Sequence, residues 1–425
     1  MASSNASLAR NVAARSGEAA EDRAGRSDPV LLSKTERLRL SIIRRLLGRI
    51  ETGRLALKLP SGENMRIEGR EPGPSAAMEI RSGKLLDRYL ANGAVGFAEG
   101  YIDGDFDSPD LAELLDLLDR NSSAWEKSYY GPWPARFLRF YRHWRNENSR
   151  NQAERNIHAH YDLGNDFFAA WLDPGMTYSA ALFDDDRAGL EAAQTTKFEN
   201  LCRMIDLESG HHLLEIGCGW GGFAEHAART RDCRVTCLTI SKAQFDYATR
   251  RIREAGLSDR VEIRYQDYRD VDGTFDRVAS IEMFEAVGER YWPAYFEKIA
   301  SVLEPGGRAG LQIITIADRH FENYRKTADF IQRYIFPGGC LPSPSALRLE
   351  FARAGLGEIG WRACGHDYAK TLAIWSERFH QVWDELRPLG FDERFKRIWH
   401  YYLAYCEAGF RTGSTDVVQV ALARN

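Results

Sequence analysis

A glycine-rich segment in the middle of the chain has the composition of a loop that binds a nucleotide or nucleoside. Residues 213–222 have the sequence LLEIGCGWGG, in which Gly217, Gly219 and Gly221 follow the acidic Glu215. The segment follows a predicted strand and opens a predicted helix. Glycines at such a corner let the backbone approach a ligand closely and adopt turn conformations that other residues avoid. The pattern therefore predicts a nucleotide or nucleoside at the carboxyl end of this strand.

The spacing of these glycines argues against a dinucleotide site. Dinucleotide-binding loops follow a Gly-x-Gly-x-x-Gly pattern, with an acidic residue about 20 positions further on. Here the acidic residue precedes the glycines, and the end of the next predicted strand carries Thr239 and Ser241 in place of an acid. The loop therefore favours a different nucleoside cofactor.

Polar and aromatic residues also follow the later predicted strands. Gln266, Asp267 and Tyr268 come after the third strand, where the base of the nucleoside is expected. Asp267 can accept a hydrogen bond from an adenine amino group, and Tyr268 can stack on the ring. Residues 282–288 (EMFEAVG) follow the fourth strand and contain Glu285. These segments complete the candidate pocket.

From about residue 156 the chain alternates between strand-like and amphipathic helical stretches. The predicted strands cover residues 212–216, 234–240, 261–265, 277–281 and 308–316. Such alternation produces right-handed βαβ units and a parallel sheet with helices on both faces. The sequence thus predicts an α/β fold for a C-terminal domain over residues 156–425.

The sequence ahead of this domain is predicted to form a tail and a small folded unit. Residues 1–30 contain almost no large apolar side chains, so we expect a disordered tail. Residues 31–130 combine helical and strand-like stretches that are separated by Gly and Pro turns. This composition predicts an N-terminal α+β domain of ordinary size.

Residues 131–155 are predicted to form a basic amphipathic helix that links the two domains. On a helical projection, one narrow arc carries Phe137, Phe140, Tyr141 and Trp144, and the opposite half carries four arginines. A helix of this kind can lie in a lipid interface. It can equally be a linker whose aromatic face packs into the protein. Both interpretations stay open at this point.

The overall composition excludes some function classes. No run of about 18 apolar residues occurs, which excludes a membrane-spanning helix. A formal net charge of −4 argues against a nucleic-acid partner. Residues 1–60 nevertheless carry 12 Lys+Arg against 6 Asp+Glu, so this basic region is either a solvated arm or a surface for an anionic membrane. Seven cysteines without a Cys-x-x-Cys pair indicate no metal site and favour a cytoplasmic setting.

Taken together, these motifs resemble the cyclopropane-fatty-acyl-phospholipid synthase family, which belongs to the class I S-adenosylmethionine-dependent methyltransferases. The resemblance rests on the segments above, on residues 160–168 (HYDLGNDFF) and 176–179 (MTYS), and on residues 334–343 (YIFPGGCLPS). It extends more loosely to residues 95–101. It implies a Rossmann-like fold with a seven-stranded, mostly parallel sheet, preceded by a small α+β, lipid-binding type of domain. It also implies methylation of a cis double bond in the acyl chain of a membrane phospholipid.

The resemblance further implies the residues of the site. The candidates for binding S-adenosylmethionine are Tyr178, Ser179, Glu215, Gly217, Gly219, Gly221, Thr239, Gln244, Gln266, Asp267 and Tyr268. Family members hold a bicarbonate ion as the proton acceptor, at positions that match Glu285, Gln312, Ile314 and Tyr334. His160 is a further catalytic candidate, with a structural role near the pocket as its alternative.

Three residues depart from the family pattern and leave bicarbonate binding open. Ala180 stands where many synthases have Cys, Ala286 where they often have His, and Gln312 where the ion-binding strand usually has His. An amide can donate a hydrogen bond to an anion but carries no positive charge. Two products therefore stay open. One is a cyclopropane chain, and the other is a methylated alkene that a partner oxidoreductase converts into a methyl-branched or furan chain.

Two other classes of protein are alternatives. A methyltransferase for a soluble small molecule would not need the N-terminal domain and its aromatic helix, because the fold alone does not determine the acceptor. A lipid-transfer protein without catalytic activity would have no use for a nucleoside pocket. We therefore expect a cytoplasmic enzyme that associates with anionic lipids at the inner face of the membrane and acts on unsaturated acyl chains. A homodimer is a further expectation.

Overall fold

The computed structural model of the chain describes residues 33–123 and 163–424, and helices and strands are numbered here along these residues. The predicted tail (1–30), the predicted linker helix (131–155) and His160 lie outside the described residues. The predictions for these segments, and the exact division into domains 31–130 and 156–425, therefore stay predictions.

The N-terminal part, residues 33–123, combines a four-stranded sheet with four helices. The strands, in the spatial order β2-β1-β3-β4, are β1 (Thr52–Lys58), β2 (Asn64–Glu68), β3 (Glu71–Ile80) and β4 (Phe106–Asp107). The helices are α1 (Lys34–Leu47), α2 (Lys84–Asn92), α3 (Ala94–Ile102) and α4 (Leu111–Arg120). Burial alternates along β1, where Leu55 and Leu57 are buried, as expected for a strand with one face on a core. This is the predicted α+β arrangement.

The C-terminal part, residues 163–424, contains a seven-stranded sheet in the order β10-β11-β9-β8-β5-β6-β7. The strands are β5 (His212–Ile216), β6 (Arg234–Thr239), β7 (Val261–Tyr265), β8 (Phe275–Ile281), β9 (Leu303–Ile316), β10 (Leu356–Ala363) and β11 (Thr415–Arg424). Strands β5 to β9 pair in parallel, and β11 runs antiparallel between β9 and β10. The predicted Rossmann-like α/β fold is confirmed, and it places the carboxyl ends of β5, β6, β7 and β8 at one edge.

Eleven helices accompany this sheet within residues 163–424. They are α5 (Asn165–Trp171), α6 (Leu190–Met204), α7 (Gly222–Arg231), α8 (Lys242–Glu254), α9 (Trp292–Val302), α10 (Asp318–Tyr324), α11 (Phe330–Tyr334), α12 (Pro344–Arg353), α13 (Gly365–Gln381), α14 (Trp383–Leu386) and α15 (Glu393–Thr412). In the described part of the chain, no helix is long and apolar enough to cross a membrane.

Each of the five predicted strands is present, and two of them, 212–216 and 261–265, have the predicted bounds. The strand predicted at 234–240 ends one residue earlier, at Thr239, and the strand predicted at 277–281 begins two residues earlier, at Phe275. The strand predicted at 308–316 begins earlier, at Leu303. Pro305 and Gly306 are typical turn residues, but here they lie within β9, in an irregular first part where its pairing with β8 shifts register. Side-chain caps start several helices. The one that matters for the site is Ser241, whose hydroxyl accepts a hydrogen bond from the N–H of Gln244 and fixes the start of α8.

Helix α15 attaches the N-terminal part to the C-terminal part. Nε of Arg397 donates a hydrogen bond to the carbonyl oxygen of Tyr101 at 2.7 Å. Asp119 at the end of α4 accepts hydrogen bonds from the hydroxyls of Thr412 (2.5 Å) and Ser414 (2.6 Å). Buried apolar residues of both parts belong to one contiguous cluster. The two parts therefore form one packed body around a shared cavity.

Candidate active site

The glycine loop after β5 has the backbone geometry that its sequence predicts. Gly217, Gly219 and Gly221 all have positive φ, at 80°, 52° and 82°, a region that strongly favours glycine. A Cβ atom on Gly217 would lie 2.7 Å from Cγ of Met283, whereas one on Gly219 would meet nothing within 4 Å. Gly221 packs against Ala248 and precedes α7. The loop thus leaves open space beside Gly219, where a ligand can approach the backbone.

Residues at the ends of β5 and β6 continue the pocket. Glu215 is buried, and its carboxylate accepts a hydrogen bond from the thiol of Cys237 at 3.4 Å. Burial raises the pKa of Glu215 to about 7. At the end of β6, the hydroxyl of Thr239 donates to Oε1 of Gln244 at 3.0 Å and accepts from the N–H of Ser241. Thr239 and Gln244 therefore hold each other in place at the cavity wall.

The predicted base-binding segment lies after β7. The carboxylate of Asp267 accepts hydrogen bonds from Nε (2.8 Å) and Nη2 (2.6 Å) of Arg269 and from the backbone N–H of Arg269. The amide of Gln266 donates to the carbonyl oxygen of Asp270. Tyr268 lines the cavity with one edge on Tyr295. The segment is thus held in place by contacts within itself and by α9.

One large cavity joins these elements. It has a volume of about 1640 Å³, and ten of the eleven candidate cofactor-binding residues line it, Gly221 being the exception. The nucleoside end of S-adenosylmethionine fits here, because the loop is open at Gly219 and hydroxyl, amide and carboxylate groups line this end of the cavity. The residues present therefore fit S-adenosylmethionine.

The same cavity continues into the N-terminal part, where its lining is apolar. It is lined there by residues of α1, α2, α3 and α4, among them Leu46, Leu86, Phe97 and Leu115. A nucleoside pocket at the sheet edge is therefore continuous with a space that suits a hydrocarbon chain.

Aromatic side chains line the cavity between its polar and apolar ends. The hydroxyls of Tyr178 and Tyr402 are 2.7 Å apart, and the ring of Tyr178 lies 5.4 Å from that of Trp375. Tyr368 and Phe336 also line the space, and Phe336 meets the ring of Tyr402 edge to face. Such faces can stabilise a positive charge without bonding to it.

Ser179 is held by a lysine that the sequence analysis did not single out. Nζ of Lys197, a completely buried residue of α6, donates a hydrogen bond to Oγ of Ser179 at 2.7 Å. Burial lowers the pKa of Lys197 to about 8, and the negative charges of Glu282 and Asp173 oppose that effect. A buried positive charge therefore lies behind the wall that contains Ser179.

Glu282, the first residue after β8, accepts three hydrogen bonds. The N–H of Ala180 and Nε2 of Gln312 both donate to its Oε1 at 2.8 Å, and the hydroxyl of Tyr368 donates to its Oε2 at 2.9 Å. Its φ is +48°, in the left-handed region that a glutamate rarely adopts. Burial raises its pKa, while Gln312 and Lys197 act in the opposite direction. Glu282 is a fixed carboxylate at the cavity wall.

Glu285 lies three residues further on and also lines the cavity. Its Oε1 accepts a hydrogen bond from the N–H of Ile314 at 2.5 Å. Its Oε2 is buried and has no hydrogen-bond partner among the described residues. Burial, and then the negative charge of Glu282, raise the pKa of Glu285 to about 8. Glu285 therefore combines a fixed orientation with an unusually basic carboxylate.

The other two catalytic candidates within the described residues make different contacts. Gln312 is buried, and its amide bonds with Glu282, the carbonyl oxygen of Ala180 and the amide of Gln419. The hydroxyl of Tyr334 donates to Glu99 of α3 at 2.9 Å. Neither residue is among those that line the cavity. The structure thus brings Glu285 to the cavity and places Gln312 and Tyr334 behind or beside its wall.

These contacts do not fit a bicarbonate ion at the positions that the family resemblance implies. The amide of Gln312 and the N–H of Ile314 are donated to Glu282 and Glu285, and the hydroxyl of Tyr334 is donated to Glu99. An anion would also meet the negative charge of Glu282, with no free donor in compensation at these groups.

Sequence reasoning missed three residues of this site. A usable signal existed for Glu282, because it is an acidic residue directly after the fourth predicted strand and lies in the segment 282–288 that also contains Glu285. Lys197 and Tyr368 gave no such signal, since each lies inside an amphipathic helix, α6 or α13, in which its neighbours are ordinary core residues.

The chain is similar to several known proteins. Residues 148–420 match the family described as mycolic acid cyclopropane synthetase. The chain is 41% identical over 403 residues to the tuberculostearic acid methyltransferase UfaA1 of Mycobacterium tuberculosis (strain ATCC 25618 / H37Rv), covering 90% of this chain and 91% of that protein. It is 35% identical over 373 residues to the cyclopropane-fatty-acyl-phospholipid synthase of Escherichia coli (strain K12), covering 87% and 93%.

A solved structure agrees with the fold. The mycolic acid cyclopropane synthase CmaA1, complexed with SAH and CTAB, is similar with a TM-score of 0.60 and 30% identity, over 64% of this chain and 98% of that one. The two sequence relatives cover most of this chain, including the N-terminal part, and the solved structure covers about two thirds of it.

Proposed function

The chain belongs to the mycolic acid cyclopropane synthetase family of S-adenosylmethionine-dependent methyltransferases, and on that premise we propose that it methylates the cis double bond of unsaturated acyl chains in membrane phospholipids. The observation that carries this proposal is the continuity of the cavity. A pocket with the glycine loop and Asp267 at one end opens directly into the apolar space between α1, α2 and α4. A soluble small acceptor would not require that second space.

The residues of the pocket would position the reactants. The loop at Gly217 and Gly219, the pair Thr239 and Gln244, and Tyr268 would hold the donor, which supplies an electrophilic methyl group when bound. An alkene is a weak nucleophile, so alignment at close range and exclusion of water supply much of the acceleration. The buried, largely aromatic wall supports both requirements.

The later stages of the reaction also have residues to support them. Once one alkene carbon has accepted the methyl group, its neighbour carries a positive charge. The faces of Tyr178, Tyr402 and Phe336 and the carboxylates of Glu282 and Glu285 can stabilise that cation. Loss of a proton from the new methyl group then closes a cyclopropane ring.

A methylated alkene is a second candidate product. In that case the proton leaves from another position, and a separate oxidoreductase converts the alkene into a methyl-branched or furan chain. Two observations favour this candidate. The donors expected to hold bicarbonate are already engaged, and a relative with 41% identity is named a tuberculostearic acid methyltransferase.

Helix α1 supports association with an anionic bilayer. Its exposed side includes Leu38 and Ile42, with Arg37, Arg45 and further basic residues nearby in the sequence, and its buried side reaches the apolar end of the cavity through Leu46 and its neighbours. Apolar side chains among arginines suit a surface of anionic lipid. We expect vesicle binding to increase with anionic lipid content and to weaken with salt.

One experiment tests the proposed function directly. The enzyme is incubated with S-adenosylmethionine and liposomes of a monounsaturated phospholipid, and the fatty acids are analysed by gas chromatography–mass spectrometry. An acyl chain that gains one CH₂ unit supports the proposal, and its fragmentation separates a cyclopropane from a methylated alkene. An enzyme that binds the donor but leaves every acyl chain unchanged contradicts it.

A further inference from the structure

Among the described residues, hydrogen-bond donors that the family resemblance assigns to a bound anion are used by two carboxylates of the site. The N–H of Ala180 and the amide of Gln312 end on Glu282, and the N–H of Ile314 ends on Glu285. Both carboxylates line the cavity. Hydrogen-bond donors that could hold a free anion are therefore bound to carboxylates of the protein itself.

We propose that this enzyme needs no external base: Oε2 of Glu285 accepts the proton after methyl transfer, and Glu282 takes the place of a free anion between Ala180 and Gln312. The inference rests on the proposed function. In the step itself, a C–H bond of the cationic acyl chain breaks. Its electron pair closes the ring or forms a new C=C bond, and the proton forms an O–H bond with Glu285.

The contacts of Glu285 suit the role of acceptor. Its Oε1 is held by the N–H of Ile314, which fixes the orientation of the carboxylate, while Oε2 is buried and has no hydrogen-bond partner among the described residues. An unpartnered buried oxygen binds a proton more tightly than a solvated one, because water does not stabilise its charge. A pKa raised to about 8 agrees with this geometry.

The contacts of Glu282 suit the role of a fixed anion. Both of its oxygens are occupied, by Ala180 and Gln312 on one side and by Tyr368 on the other, which makes it a poorer acceptor than Glu285. The positive charge of Lys197 acts on it from behind. Its φ of +48° is a strained conformation for a glutamate, and such strain persists where the surrounding contacts enforce it. Glu282 thus acts through Glu285 as a positioning residue.

Replacing Glu282 with glycine tests its role, because glycine readily adopts a positive φ. The substitution also frees the two hydrogen-bond donors, the N–H of Ala180 and the amide of Gln312. In E282G we expect turnover to fall about 100-fold, with unchanged affinity for S-adenosylmethionine. Bicarbonate or formate, but not chloride at equal ionic strength, should raise the turnover of E282G about tenfold. E282Q fills the same space without a charge, so it should lose activity and not be rescued. Asp232→Gly is the matched control, since Asp232 also has positive φ (52°) and is exposed at the end of α7.

The wild-type protein supplies the complementary measurement. Its rate should be the same in CO₂-free buffer and in bicarbonate, and ¹³C-bicarbonate NMR should detect binding to E282G but not to the wild type. A wild-type rate that falls in CO₂-free buffer, bicarbonate binding by the wild type, or an E282G variant with full activity would overturn the inference. The NMR titration does not depend on turnover. A wild type that methylates no lipid would therefore contradict the proposed function while the anion site is still tested.

Discussion

The ammonium group of Lys197 donates a hydrogen bond to Oγ of Ser179 at 2.7 Å, although Lys197 is completely buried. Lys197 also faces the charges of Glu282 and Asp173. A buried lysine is costly unless it is paired, so its presence behind the donor pocket calls for a role there. It fixes Ser179 and provides the positive charge that offsets Glu282.

Replacing Lys197 with Met should weaken binding of the methyl donor. The variant keeps the approximate shape of the side chain, but Ser179 loses the hydrogen bond from Lys197 and Glu282 loses its countercharge. A lost charge-assisted hydrogen bond is worth about 1.5–3 kcal/mol, so we expect the Kd for S-adenosylmethionine to rise by about tenfold or more in isothermal calorimetry. Thr195→Val, an exposed change on the same helix, is the control. An unchanged Kd in K197M would remove Lys197 from this role.

Replacing Tyr334 with Phe should affect attachment of the N-terminal part more than chemistry. The hydroxyl of Tyr334 is donated to Glu99, so its loss should lower the free energy of unfolding by about 1 kcal/mol and leave kcat within a few-fold of the wild type. Thermal unfolding and steady-state kinetics on the same samples measure both effects. In a double-mutant cycle with E99Q, the stability losses should not add. A large fall in kcat at unchanged stability would instead support a catalytic Tyr334.

Neutralising Glu282 should move the pH dependence of the reaction. The pKa of Glu285 is raised to about 8 by burial and by the charge of Glu282. Because the ionised form is the base, kcat/KM for the donor should rise with pH through that pKa in the wild type. In E282Q the repulsion is absent, so the pKa of Glu285 falls and the rise should occur at lower pH. Lys197 and Tyr368, which also act on Glu282, remain in both proteins. Superimposable profiles would contradict the coupling.

Blocking the apolar end of the cavity should separate lipid binding from donor binding. Leu46→Trp places a large ring among the lining residues of α1, while Leu90→Trp adds the same ring at an exposed position of α2 that does not line the cavity. We expect L46W to raise KM for a long-chain lipid by about tenfold, as filling a subsite costs binding energy, with an unchanged Kd for S-adenosylmethionine. L90W should match the wild type. Equal effects of the two variants would argue against an acyl channel.

Local patterns predicted the glycine loop and the residues after β6 and β7 correctly as parts of one cavity edge. The positions of these residues depend on short segments of sequence and on the rule that the carboxyl ends of parallel strands lie at the same edge of a sheet. The environment of Glu282 could not be predicted in this way. It requires Ala180, Gln312 and Tyr368, which lie far apart in the sequence, to meet one carboxylate with a positive φ.

The resemblance to a family gave the right fold and cofactor but could not fix every side-chain contact. Tyr334 occupies the expected position in the sequence, yet its hydroxyl bonds with Glu99 in the N-terminal part. Gln312 lies on the expected strand, and its amide is used by Glu282 and Gln419. Such outcomes depend on tertiary partners, and no motif around these two residues encodes them.

The most direct test of methyl transfer to an acyl chain follows the methyl group itself. Wild-type enzyme, S-adenosylmethionine with a deuterated methyl group, and vesicles of a monounsaturated phospholipid are combined, and the released fatty acids are examined by mass spectrometry. We predict an acyl chain in which the labelled carbon is attached at the former double bond. That carbon keeps two deuterons if the proton is lost from the transferred methyl group, as in ring closure, and three if the proton is lost from the chain, and fragmentation then separates a ring from an alkene. Deuterium in a water-soluble acceptor, with every acyl chain unlabelled, would contradict it.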